Sequence, residues 1–467
     1  MVPTLPVTQW LTLHGMVTVA AVLIYVISSH VMQQRRHPTA AIAWILFILL
    51  LPYAALPAYL AFGSRKLARP RSTPMTAPAT DSPADAWAVE TLRALGQPAP
   101  EGYRALSIHG DGATARAALL ETIANARATL DICTFILAPD LVGDTVVAAL
   151  SRRARDGIRV RLLLDGMGRL MSGRPDLTPL TRAGGEVCWF VPPLHSPLKG
   201  RTNLRNHRKM VVADAGLATA RLWCGGRNLA LEYFDGSAGH PSWRDLTFDL
   251  QGPLVNQAAD LFAHDWAFAR GSRGTVAATS RSTELFEPLD GQAQLVASGP
   301  DQADDTLHAL FVTAAYRARV RIALATPYFV PDAALLMALC LAARRGVRVD
   351  LMLPARSNHR LSDLARCRAL RSLAAAGAHL WLVPGMLHAK LAVFDNSLAL
   401  AGSANLDGRS LFLNYELMMA FHTAHDVQSF TRWFDTERGS ARLGSIGPAG
   451  LLRDVAEGMV LWMGFQL

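Results

Sequence analysis

Two strings in this chain share one pattern: His207-Arg208-Lys209 followed by Asp214, and His388-Ala389-Lys390 followed by Asp395. Both read H-x-K-x4-D, and they lie 181 residues apart. The text around them repeats too. Thr134 to Asp140 (TFILAPD) aligns with Thr326 to Asp332 (TPYFVPD) at an offset of 192, and Gly157 to Leu164 (GIRVRLLL) with Gly346 to Leu353 (GVRVDLML) at 189. A chain that repeats in this way folds as two copies of one unit, so the fold problem reduces to that unit. The drift in offset gives the first copy about eight extra residues ahead of its motif, expected within Pro192 to Gly200.

Within each copy, helical patterns (Arg116 to Ala128; Thr306 to Ala318) alternate with short apolar runs, which predicts an α/β unit with a mostly buried sheet. The motif itself reads as a strand, Lys209 to Ala213 and Lys390 to Phe394. Strand periodicity sets His207 and Lys209 on one side, and likewise His388 and Lys390. Asp214 and Asp395 stand at an odd spacing, at a strand end beside a turn. They are read as structural charge partners within the catalytic motif and not as catalytic acids.

Composition sharpens the point. The chain has 46 basic residues, yet its only lysines are Lys66, Lys199, Lys209 and Lys390. A sequence that writes arginine nearly everywhere has set two of four lysines two positions after a histidine. Those sites call for a compact ammonium, such as a point charge against a phosphate oxygen. A phosphodiester must be neutralised, attacked and relieved of an alkoxide. Two imidazoles can supply nucleophile and proton donor. Lys209, Lys390 and the amides of Asn228 and Asn405, with the Ser403 hydroxyl beside the latter, can hold oxygens that gain charge. No carboxylate cluster or Cys/His set suggests a metal or other cofactor, and the five scattered cysteines give no disulfide framework.

The second motif continues into Gly402-Ser403-Ala404-Asn405. With Gly225-Gly226-Arg227-Asn228, Trp243-Arg244-Asp245, Pro327-Tyr328-Phe329-Val330-Pro331-Asp332 and Asn405-Leu406-Asp407, the chain resembles the phospholipase D superfamily, and within it the bacterial cardiolipin synthases, from about residue 10 to about 420. One departure is Gly226, where the superfamily has serine. The resemblance implies two α/β sandwich domains related by a pseudo-twofold axis, one composite site, a phosphohistidine intermediate and no metal. Each imidazole needs a partner on its other nitrogen. Glu416, 28 residues past His388, matches the superfamily's acidic residue in that role, and Asp245 is its counterpart for His207. Arg205, beside the first motif, is a candidate for the phosphate of a second lipid.

Ahead of the repeat, Leu11 to Val31 and Ala40 to Phe62 are apolar and each about as long as a bilayer-spanning helix. They predict a transmembrane hairpin over residues 1–66. A linker over 67–100, rich in Pro, Ser, Thr and Ala at its start, should tether it to a first domain (101–275) and a second (285–467). Arg35 and Arg36 lie in the short connection, while Arg65, Lys66, Arg69 and Arg71 follow the second span, so the catalytic side is expected in the cytoplasm of a multi-pass protein of the bacterial inner membrane. A net charge of +9 favours an anionic partner, nucleic acid or lipid alike. The hairpin argues for lipid. The resemblance to the cardiolipin synthases implies the activity expected here, condensation of two phosphatidylglycerols to cardiolipin and glycerol. Lipid hydrolysis stands next, a nuclease behind it, and a non-catalytic lipid-binding scaffold last, because all four His and Lys positions are intact. The apolar stretch Ala449 to Leu467 reads equally as a lipid-facing helix or a closing core helix.

Overall fold

The structure is a computed structural model that describes residues 7–31, 38–63, 87–191, 203–237, 239, 241–271, 289–302 and 304–463. The Pro-rich part of the linker, the 192–202 insertion and the segment between the two copies lie outside these residues, as do the basic residues expected to set membrane orientation.

At the N terminus a helix spans Val7–Val31, and its Gln9–Ile27 stretch is long and apolar enough to cross a membrane. The second apolar segment is not one span but two helices, Pro38–Leu50 and Pro52–Phe62. Pro52 has no N–H to continue the helical ladder and starts the second piece at its first position, a place that proline favours. Ala21, Tyr25, Ile48, Ala55 and Tyr59 pack these helices together. Leu11, Met16, Val19, Leu23 and Leu46 are left facing outward.

The repeat builds one continuous sheet. The first copy supplies β1 (Glu101–His109), β2 (Thr129–Thr134), β3 (Arg159–Leu164), β4 (Glu186–Trp189), β5 (Met210–Ala213), β6 (Arg221–Gly225) and β7 (Thr247–Gln251). The second supplies β8 (Gly291–Ser298), β9 (Arg321–Ala325), β10 (Phe329–Val330), β11 (Arg348–Pro354), β12 (His379–Val383), β13 (Leu391–Phe394), β14 (Leu398–Gly402), β15 (Leu406–Asp407), β16 (Glu416–Phe421) and β17 (Arg442–Leu443). Fifteen of these strands form the sheet, in the order β17-β12-β11-β9-β13-β14-β16-β8-β1-β7-β6-β5-β2-β3-β4, while β10 and β15 pair with each other in a separate two-stranded sheet. Read outward from the β1–β8 pair, the two arms match strand for strand, with β17 added at one edge. The sequence repeat is therefore a spatial repeat. In each arm three parallel strands joined by helical crossovers meet an antiparallel set that carries the motif strand, β5 or β13.

Particular residues explain why the repeated text folds alike. The aspartates that close TFILAPD and TPYFVPD are N-caps: Asp140 accepts from the N–H groups of Val142 and Gly143, and Asp332 from those of Ala334 and Leu335. The glycines that open GIRVRLLL and GVRVDLML end the preceding helices at φ +85° and +89°, where a Cβ would be strained. Each half then closes its own core, around Leu130, Ile132, Leu150, Leu162 and Trp223 in the first, and Leu310, Ile322, Leu351, Leu373 and Phe394 in the second.

One expectation about a connecting segment needs correction. Residues 87–100 are not linker. Trp87–Ala94 is a helix whose Ala88 and Leu92 enter the second half's core. The residues after it strap the halves: Gln97 Oε1 accepts from Ala297 N–H, Gln294 donates to the Pro98 carbonyl, and Gln257 to that of Ala99. The C-terminal helix Leu451–Met463, for its part, combines the two readings that stood open. Its ionic face is docked on the Arg360–Ala375 helix through Arg368–Asp454 and Arg371–Glu457, with Val460 buried, while Leu451, Leu452, Val455 and Met459 point outward.

Candidate active site

Both motif strands begin at the junction of the halves, and the backbone there is laced in a crossed fashion. The His207 N–H donates to the Tyr415 carbonyl and the Tyr415 N–H to that of Arg205, each at 2.9 Å. On the related side, Arg244 N–H donates to the Met386 carbonyl at 2.9 Å and His388 N–H to that of Arg244 at 2.6 Å. Each motif thus pairs with a segment of the opposite half, and the residue after Tyr415 or Arg244 is a carboxylate.

The orienting pairs therefore cross over. Glu416 serves His207, with Nδ1 3.0 Å from Oε1 and 3.1 Å from Oε2. Asp245 serves His388, with Nδ1 2.7 Å from Oδ2. The sequence reading had paired Glu416 with His388 and Asp245 with His207, each within its own half, and this is wrong. Because both carboxylates take Nδ1, each imidazole carries its proton there and turns Nε2 to the site.

Each lysine folds back on the histidine two residues before it. Lys209 Nζ donates to the His207 carbonyl at 2.6 Å. Lys390 Nζ donates to the His388 carbonyl and stands 2.8 Å from Nδ1 and 2.9 Å from Nε2. Being equidistant, it acts on the ring as a charge at its edge and not as a donor to one nitrogen. Phe135 meets His207 edge-on at 5.2 Å, and Tyr233 and Trp243 wall His388 at 5.0 and 5.6 Å.

Burial dominates the electrostatics. It pulls His207 from the ordinary imidazole value of 6.5 down to about 4 and His388 to about 3. Glu416 and Asp245 oppose that pull, while Lys390 adds to it at both rings. Burial likewise lowers Lys209 to about 8 and Lys390 to about 7. Burial alone would raise Asp245, but His388, Lys390 and Arg227 outweigh it and hold the carboxyl at about 2. Glu416 is lowered by His207 and Lys209 in the same way, against its own burial. Near neutral pH the site therefore holds two ionised carboxylates and two neutral imidazoles. The charge of Lys209 reaches His388 and that of Lys390 reaches His207, so the two sets form one electrostatic unit.

Other expected site residues have different work. Among the described residues Asp214 and Asp395 form no ion pair and act as backbone clamps. Asp214 accepts from Arg127, Ala128 and Thr129 N–H groups, and Asp395 from those of Arg319, Val320 and Arg321. Their φ values of +52° and +50° lie in the left-handed region, which aspartate tolerates better than most side chains. One residue thus turns the chain and fixes the start of the neighbouring strand. Ser403, expected to bind substrate, instead donates to Glu416 Oε2 at 2.5 Å and accepts from Leu417 N–H. Asn228 is engaged at both ends, accepting from Ile136 N–H and donating to the Tyr233 hydroxyl, so it shapes the wall behind His388. Asn405 Oδ1 is buried without a hydrogen-bond partner among the described residues, and its amide supports Asp407.

Gly226 now has a reason. A Cβ there would come within 2.2 Å of Asp245 Oδ1. The second half spends that space on a hydroxyl for the longer Glu416; the first leaves it for the shorter Asp245. Its φ is not left-handed, so alanine would act through contact and not backbone strain. Gly226→Ala should displace Asp245 from His388 and cut turnover by about 10- to 100-fold, the usual cost of losing an orienting partner. A lipid-turnover assay at wild-type rate would mean that Asp245 is not needed where it stands.

Sequence reasoning missed Arg208, the unspecified x of the first motif. It is fully buried, pairs with Asp265, and donates through Nε to the Glu416 carbonyl at 3.1 Å and through Nη2 to that of Ser298 at 3.2 Å. It pins the first half's motif to the second half's strands. Among the described residues no group of three His, Cys, Asp or Glu is arranged to hold a metal ion.

The family profile for the cardiolipin synthase, phospholipase D-like domain matches residues 119–266 and 312–438, and the phospholipase D–nuclease N-terminal profile matches 18–64. Cardiolipin synthase A of Citrobacter koseri is 32% identical over 443 residues, covering 90% of this chain and 89% of its own length. Cardiolipin synthase 1 of Bacillus anthracis is 29% identical over 463 residues, covering 93% and 90%. Phosphatidylserine synthase of Haemophilus influenzae has the same fold, with a TM-score of 0.62 at 13% identity over 82% of this chain and all of that one.

Proposed function

The chain belongs to the cardiolipin synthase family of phospholipase D-like proteins, and on that premise we propose that it is a membrane phosphatidyltransferase that condenses two phosphatidylglycerols into cardiolipin and glycerol. The observation that carries this reading is the crossed pair of His–carboxylate dyads, each with its lysine, in one site. Two imidazoles with Nε2 turned inward suit a double displacement, in which one holds the phosphatidyl group while the other manages the proton.

His207 is the nucleophile in this scheme. Among the described residues none hydrogen-bonds to its Nε2, whereas His388 Nε2 has the Lys390 ammonium at its edge. A bound phosphodiester brings negative charge beside the rings and favours the protonated form of His388. His207 Nε2 attacks phosphorus, the bond from phosphorus to the glycerol oxygen breaks, and that oxygen takes the Nε2 proton of His388. Glu416 offsets the positive charge left on the phosphorylated imidazole. Neutral His388 then removes a proton from a glycerol hydroxyl of the second lipid. That oxygen attacks phosphorus, the phosphorus–nitrogen bond breaks, and both imidazoles return to their starting states. Lys209 and Lys390 hold the phosphoryl oxygens throughout.

The apolar N-terminal helices anchor the enzyme in the bacterial inner membrane as a multi-pass protein, with the catalytic halves on the cytoplasmic side. Purified protein given labelled phosphatidylglycerol tests the reaction. Cardiolipin and glycerol in equal amounts are expected, whereas phosphatidic acid and glycerol without cardiolipin would make it a hydrolase.

A further inference from the structure

Condensing two phospholipids poses a problem that one phosphate site does not solve. The acceptor lipid carries its own phosphodiester, only a three-carbon glycerol away from the hydroxyl that attacks. A second anion must therefore rest beside the first, in the same buried cleft, without taking the place of the reacting phosphate.

Two arginines, one from each half, are anchored close to the first motif and to the segment before Glu416. Arg205 lies two residues before His207, and its carbonyl accepts from the Tyr415 N–H. Arg409 follows β15 in the second half, and its carbonyl accepts from the N–H groups of Leu413 and Asn414, each at 2.9 Å. Both are thus tied to the Leu413–Tyr415 segment that leads into Glu416, one from each half. Both are only partly exposed. Their charges bear on each other, and both bear on the buried carboxyl of Asp165. Arg409 falls to about 10 through burial first and the neighbouring Arg205 second. Asp165 accepts from the N–H groups of Asn206 and Met167, and Asp407 from that of Ser410, so both acids also serve the local backbone. Burial raises the pKa of both. Two half-buried arginines, their backbones tied to the segment that leads into Glu416 and their charges bearing on each other, offer forked donors suited to a phosphodiester.

We propose that Arg205 and Arg409 clamp the phosphodiester of the acceptor phospholipid, and that this clamp decides whether the phosphatidyl group passes to lipid or to water. The inference rests on the transferase reading above. It makes the two arginines binding residues for the second half-reaction only, because formation of the phosphohistidine involves no acceptor.

The test uses the full-length enzyme in mixed micelles of labelled phosphatidylglycerol, with and without ethanol. Ethanol is an acceptor that has no phosphate. Arg205→Gln and Arg409→Gln should each lower cardiolipin formation by about 10- to 100-fold, the scale of losing a charge-assisted contact to phosphate. Phosphatidylethanol formation should decline far less, by about threefold at most, and phosphatidic acid should rise as a share of product. Arg205→Lys and Arg409→Lys should recover part of the loss, since each restores a charge without the fork. Ethanol transfer also reports whether each variant is folded. A parallel fall with lipid and ethanol as acceptors, or no change with either, overturns the clamp alone. Wild-type enzyme that makes no cardiolipin at all overturns both the clamp and the transferase reading.

Discussion

His207→Ala and His388→Ala each lower cardiolipin formation by about 10^4-fold or more, and the double variant is scarcely worse than either single one. Nucleophile and proton carrier act as a unit, so removing either leaves the other without a partner and the losses do not add. The crossed junction makes this expectation sharper than the motif alone could. His207 is held by Glu416 of the second half and His388 by Asp245 of the first, so neither half contains a complete dyad. Rates of product formation under single-turnover conditions check it. If either single variant kept more than about a tenth of the wild-type rate, the composite site would be wrong.

Lys209→Arg and Lys390→Arg are nearly as damaging as alanine at the same positions, about 10^2- to 10^3-fold, as for loss of a donor to a developing oxyanion. Charge is preserved in both, so the effect is one of shape. Each lysine is 1% exposed and folds its ammonium back on the carbonyl of the histidine two residues before it. A guanidinium is planar, longer and fixed in its fork, and cannot occupy that position without displacing the ring. Burial also lowers both lysines, a leverage that arginine lacks because it stays charged. Turnover of labelled lipid by the Arg variants, beside their circular dichroism spectra, separates loss of chemistry from loss of fold. Near wild-type rates in both would show that net charge alone matters.

The repeat was legible because its text has local physical causes: an N-cap at Asp140 and Asp332, a left-handed glycine at 157 and 346, and an apolar strand after each. The crossing of the dyads was not legible. Glu416 is close in sequence to His388, and nothing in spacing reveals that β16 delivers its first residue to the other half's motif. That is decided by the bridges between Asn206 and Tyr415 and between Arg244 and Leu387. The serine of the second half and the glycine of the first looked like a binding residue and a defect. They are matched to carboxylates of different length. Arg208 gave no signal, since a buried arginine in an arginine-rich chain looks like any other until its partner Asp265 is seen in space. The break at Pro52 was visible as a residue but not as a break, because apolarity summed over 23 residues ignores one missing N–H.

The most direct test of the account is to trap the intermediate. Enzyme mixed briefly with phosphatidylglycerol labelled at phosphorus, quenched in base and mapped by mass spectrometry should carry the phosphatidyl group on His207. The adduct should be absent from His207→Ala, and glycerol should be released in step with its formation. Label on His388 would reverse the roles of the two histidines, and cardiolipin formed with no covalent adduct on either would contradict the double displacement itself.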